Sequence, residues 1–168
     1  KNESLIDEKK YECFIANDNS NGQLVISGRI DHLNKFVDDL KNLRIKNITL
    51  PVSGPFHCEL MNKATIKMEP EIKKLEFNIG EKILISNVTA NEMKNPEEIK
   101  KLLIKQIESR VRWRESIIYM IKKGINHFIE IGPGKVLSGL IKRIDKTVIV
   151  DAINSEEDIN NIKKNDKF

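Results

Sequence analysis

Cysteine is nearly absent from this 168-residue chain: Cys13 and Cys58 are the only two, 45 positions apart and without a CxxC spacing. That scarcity argues against a disulfide scaffold and against a zinc cluster, and it fits a reducing interior, cytoplasmic by default. Aromatic residues make up only 5% of the chain, and long apolar runs are missing. Nothing approaches the roughly 18 to 20 apolar residues of a membrane-spanning helix. The opening stretch KNESLIDEKKYE has no apolar segment of the kind a signal peptide needs. Membrane and secretory readings are therefore set aside. Arginine is rare, 6 against 23 lysines, and no extended one-sided basic stretch of the nucleic-acid-binding kind is found. An initiating methionine is missing too, since the chain starts at Lys1, and the expectation is a piece of something longer.

What is present describes one soluble globular unit with room for a small second lobe: 39% hydrophobic, 32% charged and a formal net charge of +4. Isoleucine (26), lysine (23) and asparagine (17) dominate the composition in the manner of coding bias. A mildly positive surface suits an acidic partner.

Periodicity alternates along the chain. Cys13 to Ala16 and Gln23 to Ser27 read as short strands separated by a turn-rich polar loop, Asn17 to Gly22. Asp31 is placed to cap a helix whose apolar residues Leu33, Phe36, Val37 and Leu40 share one face. Residues 47–52 read as a strand, and Ser53-Gly54-Pro55 marks a lobe boundary, giving lobes 1–52 and 53–168. Residues 59 to about 75 read as a helix that Pro70 kinks or splits. Residues 82–88 read as a strand covered on both faces. Helices follow from Asn95-Pro96 and around 115–123, then strand 127–131, helix 135–144 and strand 147–152. This alternation is the grammar of a mostly parallel sheet. The polar tail, residues 154–168, reads as frayed or loosely helical.

Among the three histidines, His32 and His127 read as capping or solvated. His57 stands in Ser53-Gly54-Pro55-Phe56-His57-Cys58-Glu59, a strand-to-helix connection of the sort that carries sites in α/β sheets. It either caps the following helix or acts as a general base, and a base needs a nucleophile and an orienting partner. Gln106 shares the apolar face of Ile99, Leu102 and Leu103. It is either a rim residue or a group that orients an imidazole through its side chain or its backbone carbonyl. Cys58 reads as a structural thiol. Ile131-Gly132-Pro133-Gly134-Lys135 fits neither G-x-G-x-x-G nor the P-loop and reads as a tight turn able to offer N–H groups to an anion. Arg110-Val111-Arg112-Trp113-Arg114 reads as structural or as a partner contact. The Asn17 to Gln23 stretch reads as a turn or as a polar wall facing a ligand.

Four ordered blocks across roughly residues 11–150 closely resemble malonyl-CoA:acyl carrier protein transacylase: Ala16 to Gly28, Pro51 to Met61, Arg110 to Trp113, and Glu130 to Leu137. One departure is Asn21, where the family commonly has proline. The resemblance implies a Ser-His acyltransferase of type II fatty-acid synthesis. It moves malonyl from coenzyme A to the phosphopantetheine thiol of acyl carrier protein through a malonyl-serine ester, with no cofactor beyond these substrates. His57 matches the family's catalytic histidine and Gln106 the glutamine whose main-chain carbonyl holds it. Asn17 and Asn19 match pocket asparagines, and Phe56 matches a residue that crowds the space of an α-methyl group. Lys135, Lys142 and Arg143 are candidates to meet the acidic carrier protein.

The family's G-H-S-L-G elbow is not in this chain, and neither is any G-x-S-x-G. The arginine that pairs with the malonyl carboxylate is also unmatched. The resemblance thus implies the C-terminal half of the enzyme, partnered by a missing N-terminal half. The implied fold is α/β: residues 53–168 as the C-terminal part of an α/β-hydrolase-like core with a mostly parallel sheet, and residues 1–52 as part of a small ferredoxin-like subdomain. Two alternatives stay open, a non-catalytic carrier-protein-binding remnant and a Ser-His hydrolase.

Overall fold

A computed structural model describes residues 7–78 and 80–164. Residues 1–6 and 165–168, the outer ends of the two expected lobes, lie outside the described residues. The chain divides between Ser116 and Ile117 into two compact units.

In the first unit, α1 (Glu8–Tyr11) is capped by Asp7, whose carboxylate accepts from the Lys10 N–H at 3.0 Å. β1 (Cys13–Ser20) and β2 (Gln23–Gly28) pair antiparallel. Their connection is only Asn21-Gly22, with Gly22 at φ 79°. The expected loop 17–22 is therefore mostly strand. Its alternation of buried Ala16, Asp18 and Ser20 with half-exposed Asn17 and Asn19 is a strand pattern in polar letters. A parallel bridge from Asn17 to Val111 supports β1 on its other edge, so tertiary pairing overrides the poor strand propensity of Asn and Asp.

α2 (Ile30–Asn42) begins ahead of Asp31, which lies in the first turn, where its charge favours the helix dipole; Arg29 is the capping position and makes no side-chain cap bond. Phe36 is buried against the Tyr11 ring, centroids 4.9 Å apart.

Two expected strands do not form. Residues 47–52 form no ladder, and the Val52 N–H turns back to the Leu50 carbonyl at 2.9 Å, leaving Ile48 75% and Val52 60% exposed. Residues 82–88 yield one antiparallel bridge, Ile85 to Glu92, in a tight reversal closed by Ser86 N–H to the Asn91 carbonyl at 2.9 Å. An apolar run has the propensity of a strand, but it becomes one only when a neighbour takes its N–H and C=O groups.

A 3₁₀ turn, Glu59–Met61, leads into α3 (Asn62–Lys74), which carries Pro70 without splitting. Ile66, whose carbonyl loses its donor there, is at an exposed position open to water. α4 (Pro96–Gln106) has proline in its first turn and Asn95 as cap, accepting from the Glu98 N–H at 2.9 Å. α5 (Trp113–Lys122) contains the division between the units.

The second unit is a β-α-β segment: β3 (His127–Ile131), α6 (Val136–Ile144) and β4 (Ile149–Ile153), followed by α7 (Glu156–Lys164). β3 and β4 pair in parallel, with Phe128, Leu140, Ile141 and Val148 buried. The parallel grammar read from the sequence appears here, whereas β1 and β2 are antiparallel. At the β3–α6 turn, Gly134 (φ 94°) donates its N–H to Asn154 Oδ1 at 2.6 Å. Glu130 accepts from the N–H groups of Leu137 (3.1 Å) and Ser138 (2.7 Å) and from the Ser138 hydroxyl (2.6 Å). The Ser138 hydroxyl first, and these amides after it, hold the Glu130 carboxyl below its ordinary value. The N–H groups of Gly134, Leu137 and Ser138 are thus engaged within the fold rather than offered to an anion. The architecture is α/β, with helices and, among the described residues, one two-stranded sheet in each unit.

Candidate active site

His57 stands at the apex of a short loop that the first unit holds at several points. The Ser27 hydroxyl donates to the Phe56 carbonyl at 2.7 Å, and the buried Cys58 thiol donates to the Pro55 carbonyl at 3.1 Å. Burial pushes the Cys58 thiol up, away from the nucleophilic thiolate. His57 takes φ 62°, a left-handed conformation uncommon outside glycine.

Its Nδ1 lies 3.2 Å from the backbone carbonyl of Gln106. Gln106 ends α4, and the last carbonyls of a helix have no intrahelical donor and carry the negative end of the helix dipole. A carbonyl can only accept, so Nδ1 bears the proton and Nε2 keeps the lone pair of a base. The Gln106 side chain is itself engaged: Oε1 accepts from Asn87 Nδ2 at 3.2 Å.

Asn17 and Asn19 occupy the half-exposed positions of β1. Between them Asp18 is 1% exposed and accepts from Arg110 Nη2 at 3.3 Å, from Arg114 Nε at 3.0 and 2.9 Å, and from Arg114 Nη2 at 2.6 Å. Arg112 pairs through both Nε and Nη2 with Glu115, whose carboxyl it holds below the ordinary value. The arginine cluster is accordingly a structural bracket. Asp18 is the residue that sequence reading missed: two of the three clustered arginines, Arg110 and Arg114, converge on it from more than 90 positions away.

Phe56 is 44% exposed, its ring packed where a side chain on Gly54 would come within 3.4 Å. In the second unit, Lys135, Lys142 and Arg143 are exposed along α6, and Lys142 donates to the Val148 carbonyl at 2.5 Å. The structure therefore brings His57 and Gln106 into direct contact, while the basic residues belong to the other unit. Among the described residues no group of three His, Cys, Asp or Glu side chains is placed to hold a metal ion, and no helix is long and apolar enough to cross a membrane.

A loop histidine held through Nδ1 by a backbone carbonyl leaves Nε2 available to a second group. Comparison with known proteins makes the relationship specific. No protein-family model matches the chain. It is 39% identical over 152 residues to the malonyl CoA-acyl carrier protein transacylase of Staphylococcus aureus (strain COL), covering 90% of this chain and 49% of that protein. It is similar to the crystal structure of the corresponding transacylase from Clostridium perfringens, with TM-score 0.90 and 36% identity over 96% of this chain and 53% of that one. A malonyl-transacylase solved in complex with a type II PKS acyl-carrier protein matches with TM-score 0.87 and 32% identity, covering 92% and 50%. By sequence and by fold the chain is similar to the malonyl CoA-acyl carrier protein transacylases, and it spans about half the length of the curated relatives it matches.

Proposed function

We propose that this chain supplies the base, its orienting carbonyl and part of the substrate pocket to a malonyl-CoA:acyl carrier protein transacylase. The observation that carries this reading is the 3.2 Å contact from His57 Nδ1 to the Gln106 carbonyl. With the proton fixed on Nδ1, Nε2 takes the proton of a serine hydroxyl as its oxygen attacks the malonyl thioester. It returns that proton to the departing coenzyme A thiolate. In the second half-reaction Nε2 takes the proton of the phosphopantetheine thiol, which attacks the malonyl-serine ester, and gives it to the leaving serine oxygen. The Gln106 carbonyl stabilises the imidazolium formed at each stage, as a carboxylate does in Ser-His-Asp sites.

The chain holds no G-x-S-x-G elbow, so the serine and the carboxylate-binding arginine are assigned to the complementary half of the transacylase. Asn17 and Asn19 line the pocket in this reading, and Phe56 excludes an α-methyl substituent. Lys135, Lys142 and Arg143 attract the acidic carrier protein. No cofactor takes part beyond the two substrates, and the reaction runs in the cytoplasm. In the assembled enzyme, residues 1–52 form part of a ferredoxin-like lobe and residues 53–168 the C-terminal part of an α/β-hydrolase-like core.

The test uses radiolabelled malonyl-CoA. The 168-residue chain alone acquires no stable label, and addition of the half of the S. aureus relative that this chain does not cover yields a labelled serine and transfer to carrier protein. Stable labelling of the chain alone would overturn the division of roles. A non-catalytic carrier-binding module predicts salt-sensitive carrier binding without transfer after reconstitution, and a hydrolase predicts release of free malonate.

A further inference from the structure

We infer that Asn87 is a positioning residue for His57, acting through Gln106. The inference rests on the reading of His57 as the base. A loop residue with left-handed backbone depends on its partners for orientation, and the partner of His57 sits at a helix end. Beyond Gln106 the backbone passes into i to i+3 bonds, Ile107 N–H to Ile104 O at 3.2 Å and Glu108 N–H to Lys105 O at 3.3 Å. Such ends fray, and the carbonyl direction there is poorly fixed by the helix alone.

The Asn87 amide supplies the missing fixture at 3.2 Å from Gln106 Oε1. Asn87 is itself anchored, because its carbonyl accepts from the Arg112 N–H at 2.9 Å. Arg112 Nη1 donates to the Thr89 carbonyl at 3.2 Å, two residues further along the same reversal. Val111 is paired to β1 on both sides, its N–H to the Ala16 carbonyl at 2.8 Å and its carbonyl from the Asp18 N–H at 2.9 Å. Hydrogen bonds therefore run continuously from the strand bearing Asn17 and Asn19, through Val111 and Arg112, to Asn87, Gln106 and His57. In this path the Asn87–Gln106 contact joins two side chains, so one substitution cuts it without altering the backbone ladder.

The experiment reads the His57 tautomer by ¹⁵N NMR in the 168-residue chain at a pH where the ring is neutral, so it does not depend on malonyl transfer. The intact chain is expected to show the Nδ1–H form. Asn87→Ala shifts the ring toward the Nε2–H form that a free neutral imidazole prefers. Gln106→Ala cuts the same contact from the other end and gives the same shift, and the double variant shifts no further, the non-additivity of one shared link. Asn87→Asp, which can accept from the Gln106 amide after it turns over, keeps the Nδ1–H form. After reconstitution, Asn87→Ala lowers kcat about ten- to a hundredfold with KM little changed. An unchanged His57 spectrum in Asn87→Ala, or an additive double variant, would overturn the inference. Failure of malonyl transfer with the tautomer shift intact would instead sink the transacylase reading.

Discussion

At residue scale the molecule turns on a strained histidine and a buried aspartate. His57 at φ 62° occupies a conformation that costs on the order of 1–3 kcal/mol for most residues and recurs at functional sites. Asparagine tolerates that region, so His57→Asn should leave unfolding free energy within about 1 kcal/mol. In the reconstituted enzyme it should lower transfer by about a hundred- to ten-thousandfold, the range for losing a general acid–base. Denaturant titration and turnover measured together check the split, and near-normal turnover removes His57 from the mechanism. Asp18 is the converse case, important to stability rather than chemistry. Its side chain is 2% exposed and accepts from two part-exposed arginines, so Asp18→Ala should cost about 1.5–3 kcal/mol, the range for losing hydrogen bonds to charged groups. A loss below about 1 kcal/mol in the same titration would mean that the bracket relaxes around the gap. The contact between His57 and the Gln106 carbonyl joins two residues singled out in the sequence, one by its Gly-Pro loop and the other by its place on a periodic face. Asp18 was not, because its partners lie 92 and 96 positions away.

At the scale of elements, α4 and α6 were legible because their signals are local: an Asn-Pro start for α4, and an apolar face following the Gly-Pro-Gly turn for α6. β1 was cut short in the sequence reading because its polar half owes its strand form to Val111, a contact no window reveals. Residues 47–52 and 82–88 erred the other way, since an apolar run reports capacity for pairing but not the presence of a neighbour. The α6 start carries its own prediction. Lys135 at the cap position makes no side-chain cap bond, and Glu130 does that work from the preceding strand. Because the Glu130 carboxyl titrates below its ordinary value in the folded state, its contribution is fully present above that ordinary value. It is lost as pH falls through the lowered folded value. Glu130→Gln should cost on the order of 1 kcal/mol at neutral pH, as for loss of a helix cap, and the difference from the parent chain should vanish in acid. Thermal unfolding at several pH values checks this, and a difference that persists in acid would refute the capping role.

At the scale of the whole molecule, the exposed apolar residues and the half-length match to the relatives raise one question: what Ile48, Leu50 and Val52 face when the chain is at work. All three are exposed on a segment with no ladder partner, so they contribute little to the stability of the chain alone. Ile48→Thr with Val52→Thr should therefore leave its unfolding free energy within about 0.5 kcal/mol. If the complementary half of the transacylase covers this segment, each side chain gains about 1.5–3 kcal/mol on burial, of which threonine retains only part. Every 1.4 kcal/mol lost is about tenfold in affinity, so the double substitution should weaken assembly by about tenfold to a few hundredfold. Titration of the labelled complementary half into parent and variant chains measures it. A change below about threefold would mean that residues 48–52 stay exposed in the assembled enzyme, and a large loss of stability in the isolated chain would mean that they already pack within it.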